Sequence, residues 1–437
     1  MLPQESRLKS PPASRSCLQS SSATSSSSQS TNRLTPDSTA AIPSACDGTY
    51  LGRSAMSAEA GGKQPLVSPR SGARCLSVEK QLRRARASDV DAPLSVCFDS
   101  RSMPDIPKPL LDLVLPTSQR WVGLQLRNAQ LELCDDDWVA SLAGKLPRLE
   151  RLEIFDCANW LPPEGVFTTA PRLTRALTTS ADTGEVSPPV ELPWAQLTHY
   201  RGALEPAEHI PHLFLAADTL VECVLGRAGM LDVILQDDID PERIPTPILL
   251  PRLRRLHLTS ADLLDYITTP ALEGLYLWSE LWGIDDPDYW ALVPFLQRSG
   301  CTLRSLALFN CDFGPTFTAE LFNAVPLLEE LLFEGTRVES GERMFAALSH
   351  SDDVSLLLPS LRELVYGYPN GTEPTETVFA AVKARVPTMR RFLLYEAEGW
   401  RVPEGDSRIR ELKEMGVDAQ WVSSDHPVVQ RKHWGDF

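Results

Sequence analysis

The chain has no apolar run near the roughly eighteen residues that a membrane-spanning helix needs, so no transmembrane segment is expected. Its first twenty residues are Ser-, Pro- and Arg-containing and lack an apolar core of signal-peptide type, so no secretory leader is expected either. Nine cysteines are present, scattered and odd in number, without a C-x-x-C pair. That pattern fits reduced, intracellular chemistry in the cytoplasm and/or nucleus, rather than a disulfide framework or a zinc site. Phosphate loops, G-x-G-x-x-G, G-x-S-x-G and H-E-x-x-H are all missing. The chain therefore reads as no enzyme, and no cofactor or metal is expected.

Positive charge is also in short supply. The net charge is −16. Residues 1–90 hold twelve Lys/Arg against six Asp/Glu, a net +6, so the rest of the chain carries −22. An acidic body repels a phosphate backbone, which argues against nucleic acid as the partner.

Residues 1–75 read as a disordered Ser/Pro-rich tail. Twelve serines fall in the first thirty positions, and large apolar residues are too sparse to offset the entropy of ordering. Lys80 to Arg86 is basic, either a weak nuclear signal or a solvated helix face. Residues 76–115 read as a divergent entry segment, 116–400 as the repeat body, and 401–437 as a helix-strand cap.

What the body does have is one motif, P-x-L-x-x-L-x-L. Pro147 leads Leu149, Leu152 and Ile154; Pro251 leads Leu253, Leu256 and Leu258; Pro270 leads Leu272, Leu275 and Leu277. Pro326, Pro359 and Pro387 lead similar triplets, and Leu303, Leu306 and Leu308 repeat it without proline. Weaker copies lie at Trp121/Leu124/Leu126, Leu173/Ala176, Trp194/Leu197 and Leu220/Cys223/Leu225. The middle positions are 19 to 33 residues apart, in and just beyond the range of leucine-rich repeats. The closing x-L-x-L is a short strand with alternate residues facing a core, and the proline, which cannot donate to a ladder, marks its entry. One such unit cannot bury its own apolar face, so neighbours must stack. The fold class expected is α/β: an irregular leucine-rich-repeat solenoid of short parallel strands with helical or loop return segments.

Returns are predicted as helices over Thr318–Val325, Thr375–Val386 and Ser407–Met415, the last with Ser407 as N-cap and Gly416 just past its end. Val417–Val422 reads as a final strand. His209 and His212 have H-x-x-H spacing, but Pro211 between them favours a surface loop over a ligand pair. The acidic runs at 135–137, 237–240 and 285–288 lack the spacing and glycine of calcium loops and read as solvated loops or helix N-termini. Asn370-Gly371-Thr372 is a formal glycosylation sequon that reads as a turn. Cys301 and Cys311 flank one strand and read as small packing groups.

The outward strand positions form a second ladder. It includes Arg151, Glu153, Phe155, Arg255, His257, Tyr276, Trp278, Phe309, Leu332, Leu393 and Tyr395. Large apolar groups at nominally exposed positions mark interaction sites, and aromatic and Arg anchors are the usual hot spots. The partner-binding set expected is Phe155, Arg255, His257, Tyr276, Trp278, Phe309, Leu332 and Tyr395. The alternative is that loops or a return helix cover part of this face. Trp282, Tyr289 and Trp290 add aromatics on a long insertion, as either binding loop or core.

Ala92-Pro93-Leu94-Ser95-Val96, Leu110-Leu111-Asp112-Leu113 with Ser118-Gln119-Arg120-Trp121, and Leu192-Pro193-Trp194-Ala195-Gln196-Leu197-Thr198-His199 together resemble the repeat portion of the basidiomycete F-box/leucine-rich-repeat-like group. The resemblance runs from about residue 92 to the end. It implies an adaptor that selects targets for an SCF-type ubiquitin ligase, with an N-terminal F-box docking on a Skp-type adaptor. The match to an F-box start is confined to Met1-Leu2-Pro3-Gln4-Glu5, and no F-box is visible before residue 92. A stand-alone recognition or scaffold protein is the second expectation. A GTPase-activating or other enzymatic solenoid is the third; it would need a reactive exposed Arg that the sequence does not single out.

Overall fold

Each copy of the leucine motif contributes one strand to a single parallel sheet. The computed structural model describes residues 92–99, 108–127, 138–155, 163–179, 190–203, 206–226, 247–259, 261–278, 291–335, 337–349, 357–368, 374–396 and 405–429. All of these fall in one compact unit, Ala55–Phe437; the other unit, Met1–Ser54, lies outside them. Also outside are the rest of the Ser-rich tail, the acidic runs at 135–137, 237–240 and 285–288, the insertion carrying Trp282, Tyr289 and Trp290, and the sequon at 370–372.

The strands are β1 (Leu94–Asp99), β2 (Trp121–Arg127), β3 (Arg151–Phe155), β4 (Arg175–Thr179), β5 (His199–Ala203), β6 (Glu222–Gly226), β7 (Ile248–Leu249), β8 (Arg255–Leu258), β9 (Ile267–Thr268), β10 (Gly274–Trp278), β11 (Ser305–Cys311), β12 (Glu330–Gly335), β13 (Glu363–Tyr368), β14 (Arg391–Glu396) and β15 (Asp418–Trp421). Thirteen of them form one open sheet in chain order, from β1 to β15 without β7 and β9, which pair separately. Every pairing in it is parallel, so each strand needs a return segment before the next. Helical returns are α1 (Lys108–Val114), α2 (Pro206–Leu215), α3 (Leu292–Ser299), α4 (Pro315–Ala324), α5 (Val338–Ser349), α6 (Glu376–Lys383) and α7 (Ser407–Glu414). The molecule is thus α/β, built on a large parallel sheet that does not close. Among the described residues no helix is long and apolar enough to cross a membrane.

The register lines up the middle motif positions in one row: Leu124, Leu152, Ala176, Tyr200, Cys223, Leu256, Leu275, Leu306, Leu331, Leu364, Phe392 and Ala419. All are buried, and they pack against the apolar faces of the returns, such as Leu321, Phe345 and Phe379, in one continuous core. The fourth copy sits elsewhere than the leucine spacing predicts. Tyr200, not Leu197, occupies the row, and Leu197 is the first motif leucine, equivalent to Leu149 and Leu253. A tyrosine at the middle position broke the leucine count; its hydroxyl meets Thr178 Oγ1 at 3.1 Å on the neighbouring strand.

The prolines do something more specific than mark a strand entry. Pro147, Pro171, Pro251, Pro270, Pro326 and Pro359 each take the second place of a four-residue turn. The turn is closed by the N–H of the first motif leucine, as in Leu149 to Leu146 at 3.3 Å and Leu328 to Val325 at 3.1 Å. Proline presets the φ that this place requires.

The predicted helices form with shifted ends. Helix α4 begins at Pro315, with Gly314 as N-cap, rather than at Thr318. Helix α6, predicted over Thr375–Val386, ends at Lys383 and buries Val378, Phe379 and Val382. Helix α7 is capped by Asp406, whose Oδ1 accepts from Arg408 N at 2.9 Å, and not by Ser407. Gly416, at φ 93°, takes the left-handed place past its end. The final strand stops at Trp421. His209 and His212 lie on α2, a helix with Pro211 inside it, and not on a loop; His212 stacks on Trp194 with ring centroids 5.1 Å apart.

Three return-segment side chains reach back to the carbonyls of the preceding return. Gln196 Nε2 donates to Ala170 O (2.7 Å) and Leu173 O (3.0 Å). Arg298 donates to Leu264 O (2.5 Å) and Ile267 O (3.1 Å). Arg385, almost wholly buried, donates to Leu348 O at 3.3 and 3.1 Å, to Leu358 O at 3.0 Å and to Leu357 O. These bonds give further donors to carbonyls at helix and turn ends, among them Ala170 O and Leu358 O, which also close turns.

Candidate functional site

Alternation along each strand puts the remaining side chains on the face opposite the returns. Three rows cross it. The first runs through Arg151, Arg175, His199, Glu222, Arg255, Gly274, Ser305, Glu330, Glu363, Arg391 and Asp418. The second runs through Gln125, Glu153, Leu177, Arg201, Val224, His257, Tyr276, Ala307, Leu332, Val365, Leu393 and Gln420. A shorter third row follows at the strand ends, with Arg127 and Phe155 on β2 and β3 and Trp278 and Phe309 on β10 and β11.

The two ends of this face differ. From β11 to β14 its second row is apolar and covered, while its first row keeps Ser305, Glu330, Glu363 and Arg391 half-buried. Ala307, Phe309, Leu332, Val365, Leu393 and Tyr395 form a second hydrophobic cluster with Val422 and Val429, and Val428 packs beside it. The three valines come from the segment after β15, which lies on this face. Tyr395 spans an intervening strand: its hydroxyl donates to Glu334 Oε2 at 2.6 Å, from β14 to β12. Gly367 on β13 lies beneath the ring, where an added Cβ would be 2.5 Å from Tyr395 Cζ. Burial, together with the Glu334 carboxylate, drives the Tyr395 phenol well above its ordinary pKa, so it stays a donor.

This overturns part of the expected exposed set. Leu332 (0% exposed), Tyr395 (0%) and Phe309 (2%) lie inside the second cluster, and His257 is 5% exposed. The remaining four, Phe155, Arg255, Tyr276 and Trp278, are half-buried. The structure brings His257, Tyr276, Trp278 and Phe309 together on three adjacent strands. His257 stacks on Tyr276 (centroids 4.0 Å, 11°), and Trp278 on Phe309 (5.5 Å, 26°). Arg255 sits beside His257 on β8 and pairs with Glu222 Oε2 at 2.6 Å. Phe155 stands apart, four strand positions away on β3, with the Arg127 guanidinium 4.9 Å above its ring.

From β2 to β8 the face is polar and rich in arginine. Arg127, Arg151, Arg175, Arg201 and Arg255 come from five strands, against only Glu153 and Glu222 on the acidic side. Both glutamates are buried. Glu153 accepts from Gln125 Nε2 at 2.7 Å and has Arg151 at 3.5 Å; burial raises its pKa, and the Arg151 and Arg127 charges oppose that rise. The histidines feel the same field. Burial, with Arg175 and Arg255, lowers His199 to about 4. Burial, with Arg201 and Arg255, lowers His257 to about 3. Both imidazoles are therefore neutral at pH 7.

Sequence reasoning found Arg151 and Arg255 but missed Arg175, Arg201 and His199. Their copies of the motif were the weak ones, and misplacing the fourth copy hid Arg201. The available signal was a repeated Arg just before the middle position, as in Arg151, Arg175 and Arg255. Cys311, read as a packing group, is fully buried, and Cys301 is half-buried. Among the described residues no group of three His, Cys, Asp or Glu is placed to hold a metal ion. No protein-family model matches the chain, and no curated protein matches it.

Proposed function

We propose that the protein is a non-catalytic adaptor of the leucine-rich-repeat solenoid class. It grips another protein across the outer face of its sheet and, following its likeness to the basidiomycete F-box/leucine-rich-repeat-like group, selects targets for an SCF-type ubiquitin ligase. One observation carries the binding part. Strands stacked in chain order line up half-buried aromatic and arginine side chains, Tyr276, Trp278 and Arg255 among them, across one continuous face. Such anchors are where interface energy concentrates. The spacing and register of the leucine triplets support the repeat class.

The test has two arms. Full-length chain is mixed with a purified Skp-type adaptor, and capture is expected; its absence removes the ligase part and leaves a stand-alone binder. Separately, photo-crosslinkers at Tyr276 and at exposed Arg410 on α7 are compared in cells. Crosslinks concentrated at position 276 support the face assignment, and equal yields at both positions sink it.

A further inference from the structure

The arginine-rich part of the outer face is unusual in a chain of net charge −16. On β2 to β8 the outward positions hold five arginines and two glutamates, a local surplus of three positive charges. Glu222 is 1% exposed and Glu153 is 9% exposed, so it is the arginines that meet solvent. Arg175 is exposed, and Arg151, Arg201 and Arg255 are half-buried. The depressed pKa values of His199 and His257 agree with this cationic field.

The dimensions narrow the ligand. Strand spacing of roughly 4.8 Å makes the strip from β2 to β8 about 24 Å long. An extended chain at roughly 3.3 Å per residue covers that in about seven residues. At the β8 end the strip runs into the half-buried rings of Tyr276 and Trp278. A polynucleotide would bring its long phosphate chain against the acidic remainder of the body, whereas a short peptide touches only the strip.

We infer that the outer face from β2 to β8 takes an extended acidic peptide of a partner protein, its carboxylates across Arg127, Arg151, Arg175, Arg201 and Arg255 and an apolar side chain against Tyr276 and Trp278. This rests on the adaptor reading and gives it a ligand chemistry. Guanidinium groups bind carboxylates with directed paired donors, and attraction on this scale fades as salt shortens the screening length.

The experiment titrates full-length protein into a fluorescent peptide of about eight residues, acidic with one terminal Leu. The comparison probes are its Gln/Asn analogue and a single-stranded oligonucleotide of equal charge. The acidic peptide should bind best and weaken steeply with salt. Arg175→Glu with Arg201→Glu should reduce its affinity at least about tenfold. The milder Arg175→Gln with Arg201→Gln pair should reduce it less, and Arg410→Glu on α7 should leave it unchanged. No binding at low salt, equal binding of the Gln/Asn analogue or the oligonucleotide, or indifference to both arginine pairs in folded protein would overturn the inference. Any of these results alongside position-276 crosslinks would remove the acidic ligand and leave the adaptor reading standing.

Discussion

The outer face from β2 to β6 and the outer face from β11 to β14 share strand direction, register and motif, yet their side chains belong to different environments. In the second row the first stretch reads Gln125, Glu153, Leu177, Arg201 and Val224, and the other reads Ala307, Leu332, Val365 and Leu393. The inner row stays apolar and buried in both, because every inner side chain packs against a return. The outer row answers to whatever lies above it. Near the end of the chain that is partly the protein's own segment around Val422, Val428 and Val429, and the row is apolar. Toward the beginning it carries charge, and the side chains are arranged to tolerate water. Parallel sheets are usually covered on both faces, and among the described residues no apolar cluster covers the polar stretch.

The sharpest way to break this comparison is to truncate matching positions. Leu332→Ala should cost about 2–5 kcal/mol in urea unfolding, as buried leucines do, whereas Val224→Ala, half-buried in the same row, should cost under about 1 kcal/mol. Equal losses would mean that the two stretches are not differently covered. Next comes Tyr395→Phe, which leaves the Glu334 carboxylate without its hydroxyl donor and should cost about 1.5–3 kcal/mol by the same measurement. Gly367→Ala should cost about 1–3 kcal/mol by forcing the Tyr395 ring aside, and much less in a Tyr395→Ala background. Additive losses would show that the ring does not lie over the glycine.

The last test reads a slope, and it belongs to the polar stretch. His199 and His257 are held near 4 and 3, below the ordinary 6.5, so the unfolded chain takes up their protons first. Stability should be unaffected by them above pH 6.5, fall as pH drops from 6.5 toward 4, and level off for His199 at about 4 and for His257 at about 3. His257→Phe should flatten part of that fall in the thermal midpoint measured against pH. An unchanged slope would place His257 in water.

The inner row was legible because burial against a return demands a large apolar group at a fixed step, as at Leu124, Leu152, Leu256 and Leu331. Where another residue met the demand, as Tyr200 does with its hydroxyl on Thr178, counting leucines landed on Leu197. The parallel pairing followed from the return segments, and α6 followed from Val378, Phe379 and Val382 on one side. The burial of Phe309, Leu332 and Tyr395 was not legible. Alternation says which side of a strand a residue takes, and is silent on whether water or a distant segment awaits it. Arg385 was equally invisible, since its partners are backbone carbonyls at Leu348, Leu357 and Leu358 and carry no side-chain signature. Of the candidate face, the aromatic pile around Tyr276 and Trp278 was readable, and most of the arginine strip was not.

The back-reaching bonds of Gln196, Arg298 and Arg385 bear on how this architecture can drift over generations. Each fixes a return against its predecessor from within the layer itself. The linking stretches are thus relieved of holding neighbours in phase, and insertions or deletions there need not disturb the next unit. A scaffold anchored in this way can lengthen a connector, or acquire one rich in acid or aromatic groups, while its sheet stays in step. Motif distances that vary from 19 to 33 residues are compatible with units held in step in this way.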